Sequence, residues 1–132
     1  MKYVLDTTAY SELVRGHPEV AKIVRDAISI LIPNVTIAEL KYGFSFGSRQ
    51  EENDKLLSKF LANKKVSILL PDNATTDYFV NISAYAKKKA VQLSTHDLWI
   101  AALSEQWDGI LVTFDNDFKH LNYKELKLVL LK

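Results

Sequence analysis

The 132-residue sequence contains no cysteine, four glycines and three prolines. The missing cysteines exclude a disulfide scaffold, a thiolate zinc site and a cysteine nucleophile together. So little glycine and proline excludes a fibrous or low-complexity chain. An excess of one charge is also lacking: 17 Lys plus Arg stand against 16 Asp plus Glu, for a net charge of +1. That balance gives no global nucleic-acid signature, so any such binding must come from a local patch. No apolar run approaches membrane-spanning length. Asp6 interrupts the first apolar stretch too early for a signal-peptide core, and a cytoplasmic protein without membrane contact is expected. The phosphate-cradling patterns G-x-x-x-x-G-K-[ST] and G-x-G-x-x-G are absent, as are G-x-S-x-G and H-E-x-x-H. His17, His96 and His120 follow no metal spacing, and Thr8 occupies the place where a haloacid-dehalogenase-type phosphatase would carry a second Asp.

What is present is a chain 48% apolar and 25% charged, long enough for a single domain over residues 1–132 with one real core. Short apolar runs alternate with amphipathic ones. Strands are predicted at 2–5, 28–32, 66–70, 110–113 and 127–131. Helices are predicted at 9–15, 18–27, 36–46, 51–61, 76–92 (with Phe79, Ile82, Ala86 and Ala90 inward) and from Asp97 to about Gln106. The strands show no polar face of period two, which indicates a parallel sheet covered on both sides: an α/β, three-layer α/β/α fold with a short, mostly parallel central sheet. In such folds the ligand crevice lies beyond the carboxyl ends of the strands.

Acidic residues recur at those positions. Asp6 follows the first strand and Asp115 the fourth, while Glu39 and Asp97 sit in Thr36-Ile37-Ala38-Glu39 and Ser94-Thr95-His96-Asp97, both with capping-box spacing. Each has an ordinary structural explanation as an N-cap, a turn residue or a box acid. Together they are harder to dismiss, because the topology would gather them in one crevice, with Glu39 in the first turn of its helix. Converging carboxylates repel one another unless cations sit among them. Oxygen-only donors select hard ions such as Mg2+ or Mn2+, and an open site for such ions chiefly serves phosphate chemistry.

Four segments, Val4-Leu5-Asp6-Thr7, Thr36-Ile37-Ala38-Glu39-Leu40-Lys41-Tyr42-Gly43, Asp97-Leu98-Trp99-Ile100-Ala101-Ala102 and Val112-Thr113-Phe114-Asp115-Asn116-Asp117-Phe118, span nearly the whole chain in order. In this the chain resembles a PIN-domain ribonuclease, specifically the VapC-type toxins of prokaryotic toxin–antitoxin pairs. Two positions depart from that pattern: Thr8 and His96 stand where the family often has Asn. The resemblance implies an endoribonuclease dependent on one or two Mg2+ or Mn2+ ions. Asp6 and Asp97 would hold the better-occupied ion, Glu39 would contribute directly or through water, and Asp115, with Asp117 beside it as the second candidate, would complete the set. Thr113 would orient a carboxylate or a substrate phosphate. The alternatives are a non-catalytic PIN-like binding module and a DNA nuclease on the same fold.

Of the basic residues, Arg15 and Lys41 lie nearest the expected cleft and are the candidates for RNA phosphate contact, whereas Lys87-Lys88-Lys89 reads as the solvated face of a helix. The low net charge favours a homodimer that joins two patches. On the helix after the second strand, Ile37, Leu40 and Phe44 form one stripe, and Ala38, Tyr42 and Phe46 another. The resemblance implies a VapB-type antitoxin as partner, through which alone operator DNA would be met. Its expected seat is the groove between the helix at 9–15 and the Tyr42–Phe46 stripe.

Overall fold

The inner strands are apolar on both faces because both faces are covered. In the computed structural model, which describes residues 1–132, the elements run β1 (Lys2–Leu5), α1 (Thr7–Val14), α2 (Pro18–Asp26), β2 (Ser29–Pro33), α3 (Asn34–Phe44), α4 (Gln50–Leu61), β3 (Val66–Leu69), α5 (Asn73–Lys88), α6 (Thr95–Gln106), β4 (Ile110–Thr113), a 3-10 turn (Asn116–His120) and β5 (Lys127–Leu130). The sheet order is β3-β2-β1-β4-β5, and every pairing is parallel. Alternate strand residues serve opposite layers. Val4, Leu31 and Leu111 join Ile82, Ala86 and Ile100–Leu103 beneath α5 and α6. Leu5, Ile30, Ile32 and Val112 join Ala9 and Val20 beneath α1 and α2. A smaller cluster of Tyr10, Leu40 and Leu57 ties α1, α3 and α4 together.

The chain lays down β1, β2 and β3 outward in one direction, then crosses back to place β4 on the other side of β1. The switch point therefore lies between β1 and β4, where the crevice of an open parallel sheet is found. The two strands are in register with Leu5 beside Val112, so Asp6 and Thr113 emerge together. Gly109 makes the close approach of β4 to β1 possible: a Cβ there would stand 2.6 Å from Val4 Cγ2 and 3.4 Å from Leu31 Cδ1.

Every helix boundary but the start of α2 and the ends of α4 and α6 differs from the sequence reading by one residue or more, and three of the differences have an identifiable cause. Helix α3 begins at Asn34 and not at 36, directly off β2, with Pro33 in the N-cap place and no side-chain cap. Thr36 consequently lies inside the first turn and is fully buried, and its hydroxyl donates to Leu5 O at 3.3 Å. The Thr36–Glu39 pair forms no capping box, and Glu39 falls in the second turn. Helix α5 begins at Asn73 because Asp72 and Thr75 cap it reciprocally. It ends at Lys88, because Ala90 adopts the left-handed conformation (φ 57°), and Ala90 is exposed, not inward. The bonds from Val91 N–H to Ala86 O (2.9 Å) and from Ala90 N–H to Lys87 O (3.2 Å) make this a Schellman ending without its usual glycine.

Candidate metal centre

Asp6 is held by three partners. It is the N-cap of α1: Oδ1 accepts the Ala9 N–H at 2.8 Å and the Thr8 hydroxyl at 2.7 Å, while Oδ2 accepts the Thr113 hydroxyl. Thr113 in turn accepts the Asp115 N–H at 2.9 Å, and Thr8 accepts the Phe114 N–H at 2.9 Å, so the ends of β1 and β4 are laced together around this one carboxylate. Asp6 is 3% exposed. Burial raises its pKa above the ordinary carboxylate value, against the lowering effect of its hydrogen bonds, and the charge of Asp97 raises it further.

Asp97 stands in the first turn of α6, where Ser94 caps the helix by accepting the Asp97 N–H at 3.1 Å. Its pKa is raised chiefly by burial and then, opposed by Ser94, by the charges of Asp115 and Glu39. Helix α6 is anchored by Ile100, Ala101, Ala102, Leu103 and Ser104, all buried, which fixes the turn that carries Asp97. Glu39 is clamped from two sides: Oε1 accepts the Thr7 hydroxyl at 2.6 Å, and Oε2 lies 3.1 Å from His96 Nδ1. Asp115 caps the 3-10 turn, its Oδ1 accepting the Asp117 N–H at 2.9 Å.

Asp6, Glu39, Asp97 and Asp115 thus act on one another through their charges, each linked to the set through Asp97. None of the four is ion-paired with lysine or arginine; His96 against Glu39 is the one cationic candidate. Asp117 is exposed and lines a different cleft, beside Lys89 and Lys119. No three carboxyl or imidazole groups gather tightly enough to enclose an ion. Acids spaced in this way could hold a hard ion only through one or two carboxylates, with water filling its other positions. An all-oxygen donor set whose buried members are raised in pKa, with no lysine or arginine to balance them, fits such an ion.

The architecture, the switch-point position of the acids and their order along the chain all point one way. A family model described as "PIN domain" matches residues 3–123. The chain belongs to the PIN-domain family. It is 29% identical over 120 residues, 86% of each chain, to "Ribonuclease VapC1" of Haemophilus influenzae (strain R2866). It is 26% identical over 126 residues, 92% of each chain, to "Ribonuclease VapC2" of Rickettsia felis. A solved structure, VapBC2 from Rickettsia felis bound to a DNA fragment from its promoter, superposes with a TM-score of 0.82 at 25% identity, covering all of both chains. No helix of this PIN domain is long and apolar enough to cross a membrane.

The other residues singled out in the sequence distribute less simply. Arg15 is paired with Glu12 at 2.6 Å and borders a small cleft of about 150 Å³ between α1, α3 and α4. Lys41 is exposed on α3, one turn from the start of the exposed stripe. Tyr42 and Phe46 are 70% and 73% exposed and pack edge to face at 4.8 Å, but the residue of this helix that lines the cleft is Phe44. The sequence marks Thr8 and His96 as departures from the family pattern without assigning a contact to them or to Thr7. All three bond directly to an acid of the PIN site. Only their adjacency to Asp6 and Asp97 hinted at this.

Proposed function

We propose that this PIN domain is a metal-dependent endoribonuclease, the toxin of a type II toxin–antitoxin pair acting in the cytoplasm, and that it hydrolyses RNA phosphodiester bonds. The observation that carries the reading is the set of Asp6, Glu39, Asp97 and Asp115 at the switch point, two of them raised in pKa by burial without a basic partner. The names of the relatives, ribonucleases and a toxin–antitoxin complex, support RNA as substrate and a VapB-type protein as partner.

Asp6 and Asp97 would hold a Mg2+ or Mn2+ ion, with Glu39 and Asp115 in reach of it or of its waters. When bound, such an ion lowers the pKa of attached water and neutralises charge on a phosphoryl group under attack. The protein's part is orientation. Thr8 and Thr113 fix both oxygens of Asp6, Ser94 fixes the turn of Asp97, and Thr7 with His96 fixes Glu39. No side chain need act as a covalent nucleophile. The cleft between α1, α3 and α4, lined by Tyr10, Val14, Phe44 and Leu56, is where an amphipathic helix of the partner would dock, with the exposed Tyr42–Phe46 pair flanking it. Homodimerisation would join two basic patches and so raise the modest RNA affinity that a net charge of +1 allows.

Single-turnover cleavage of labelled RNA tests this. Wild type should cut with Mg2+ or Mn2+ and stop with EDTA, and Asp97→Asn should lose at least a hundredfold while melting as a folded protein. Cleavage that persists in EDTA, or in Asp97→Asn, would remove the assignment.

A further inference from the structure

A nuclease centred on unpaired carboxylates repels its own polyanionic substrate, so its affinity must come from cations elsewhere. Seven of the 17 basic side chains are already committed. Arg15, Arg25, Arg49, Lys55 and Lys127 pair with carboxylates, and Lys2 and Lys65 donate to backbone carbonyls. Lys89 and Lys119 have no carboxylate partner, and they face each other across a cleft of about 520 Å³ also lined by Gln92, Asn116, Asp117 and His120. The exposed Lys87 and Lys88 stand in the turn of α5 that leads into it.

The walls of this cleft are the two segments that deliver the acids. Lys89–Gln92 runs directly into Ser94 and Asp97, and Asn116–His120 follows directly on Asp115. The Schellman ending at Ala90 turns the chain out of α5 and opens one wall. The lysines of α5 alone could be explained as complements to a helix C-terminus. That explanation is weaker for Lys119 and His120, which close a five-residue 3-10 turn on the opposite wall, too short to carry a comparable dipole.

We infer that the Lys89–Lys119 cleft is the RNA backbone subsite on one side of the scissile phosphate, with Lys89 and Lys119 contacting flanking phosphates and Gln92, Asn116 and His120 available to sugar or base. This rests on the endoribonuclease reading and places the substrate on the α6/β4 side of the acids, away from Arg15. Asp117 belongs to this cleft and not to the metal-binding set.

The test uses Lys89→Glu with Lys119→Glu and, as a charge-matched control, Lys22→Glu with Lys64→Glu, where Lys22 borders a cleft with Met1 and Tyr3 near the amino ends of the strands. In an Asp97→Asn background, binding of a fluorescein-labelled mixed-sequence single-stranded RNA is followed by anisotropy across a salt series. The cleft pair should lose about tenfold in affinity at low salt, and its slope of log K against log salt should shrink by about 1.4, two phosphate contacts at roughly 0.7 each. The control pair should change neither comparably. In the otherwise wild-type background, hydrolysis of bis(p-nitrophenyl) phosphate, which has no flanking chain, should be unaffected by the cleft pair. Equal losses for the two pairs, an unchanged slope, or a matching loss of diester hydrolysis would each overturn the subsite. Should the double variant melt abnormally, Lys119→Ala alone must show about half the slope change. If the wild type with Mn2+ cleaves neither RNA nor the diester, the nuclease reading fails first and the subsite falls with it.

Discussion

Replacing Thr113 by valine removes one hydroxyl from the centre of the site while keeping its shape. Thr113 is fully buried, and its oxygen has two jobs: it donates to Asp6 Oδ2 and accepts the Asp115 N–H at 2.9 Å. A hydrogen bond to a charged acceptor contributes about 1.5–3 kcal/mol, and an orphaned N–H costs roughly a further 1 kcal/mol where water reaches it only in part. The Asp115 N–H belongs to a half-buried residue, so the lower end applies to it. Thr113→Val should therefore destabilise the fold by about 3 kcal/mol. With an unfolding entropy of about 2.1 cal/mol/K per residue, that is a fall in Tm of about 10 °C for this chain. Urea unfolding at neutral pH gives the free energy directly, and Thr113→Ser, which keeps the hydroxyl, should lose only about 1 kcal/mol.

The same substitution has a pH signature. Thr113 lowers the pKa of Asp6 against the raising effect of burial, so without it that pKa climbs further. The penalty should be largest where Asp6 is ionised and should shrink in acid, where a protonated Asp6 no longer needs the donor. A loss below about 1 kcal/mol at neutral pH, or one that does not change with pH, would show that the Thr113–Asp6 bond does not organise the site.

Ala90→Gly should stabilise the protein by about 1 kcal/mol, because glycine enters the left-handed region without the Cβ clash that Ala90 bears at φ 57°; a urea midpoint that does not rise, at constant m, would count against it. Asp6 and Asp97 both have folded pKa values raised above 3.8, so the native state binds more protons than the unfolded state. Their contribution to stability is complete below pH 3.8 and declines as pH rises through the raised values. Thermal melts of wild type against the Asp6→Asn, Asp97→Asn double variant should diverge in that window, the variant gaining relative stability towards neutral pH. Mn2+ at neutral pH should raise the wild-type Tm by mass action and leave the double variant unmoved. Parallel pH curves would show that these carboxyls are not strained by burial.

Strand positions and the layer arrangement were legible because a strand buried on both faces reads as an uninterrupted apolar run, and Val4-Leu5, Ile30-Leu31-Ile32 and Leu111-Val112 all do. The acids stand out in the sequence because Asp6 directly follows such a run and Asp115 lies just past the end of β4, after Phe114. Helix ends were read poorly where the deciding feature was tertiary. Thr36 resembles a cap in sequence, yet Leu5 O lies close enough to claim its hydroxyl, so the helix begins earlier. Ala90 carries no local sign of a left-handed turn, since a glycine would be expected there. The Thr7 and His96 contacts to Glu39 join residues 32 and 57 positions apart, beyond any local pattern. The lysine run of α5 was dismissed as a solvated face because Lys119, its counterpart, lies on the far wall of a cleft that only the folded chain creates.

The structural and chemical roles of the acids are often treated as rivals, but the lone pairs show that they divide the work. A carboxylate offers about four acceptor positions. In Asp6, Oδ1 is filled by the Ala9 N–H and the Thr8 hydroxyl, the bonds that cap α1, whereas Oδ2 has only Thr113 and keeps one position open. In Glu39 each oxygen has a single partner, Thr7 on one and His96 on the other. Asp97 and Asp115 each lean on one neighbouring residue, Ser94 and Asp117, which makes them the least committed of the four. The caps therefore consume the outward-facing capacity of the rim and leave one position or more on each acid for a cation. On the proposed reading, a hard ion with few protein ligands would suit the site better than a closed cage, since full chelation of Asp6 would require surrendering the cap of α1. It also makes asparagine the informative replacement at Asp6: the amide oxygen can go on capping the helix while the charge and the free lone pair of Oδ2 disappear together.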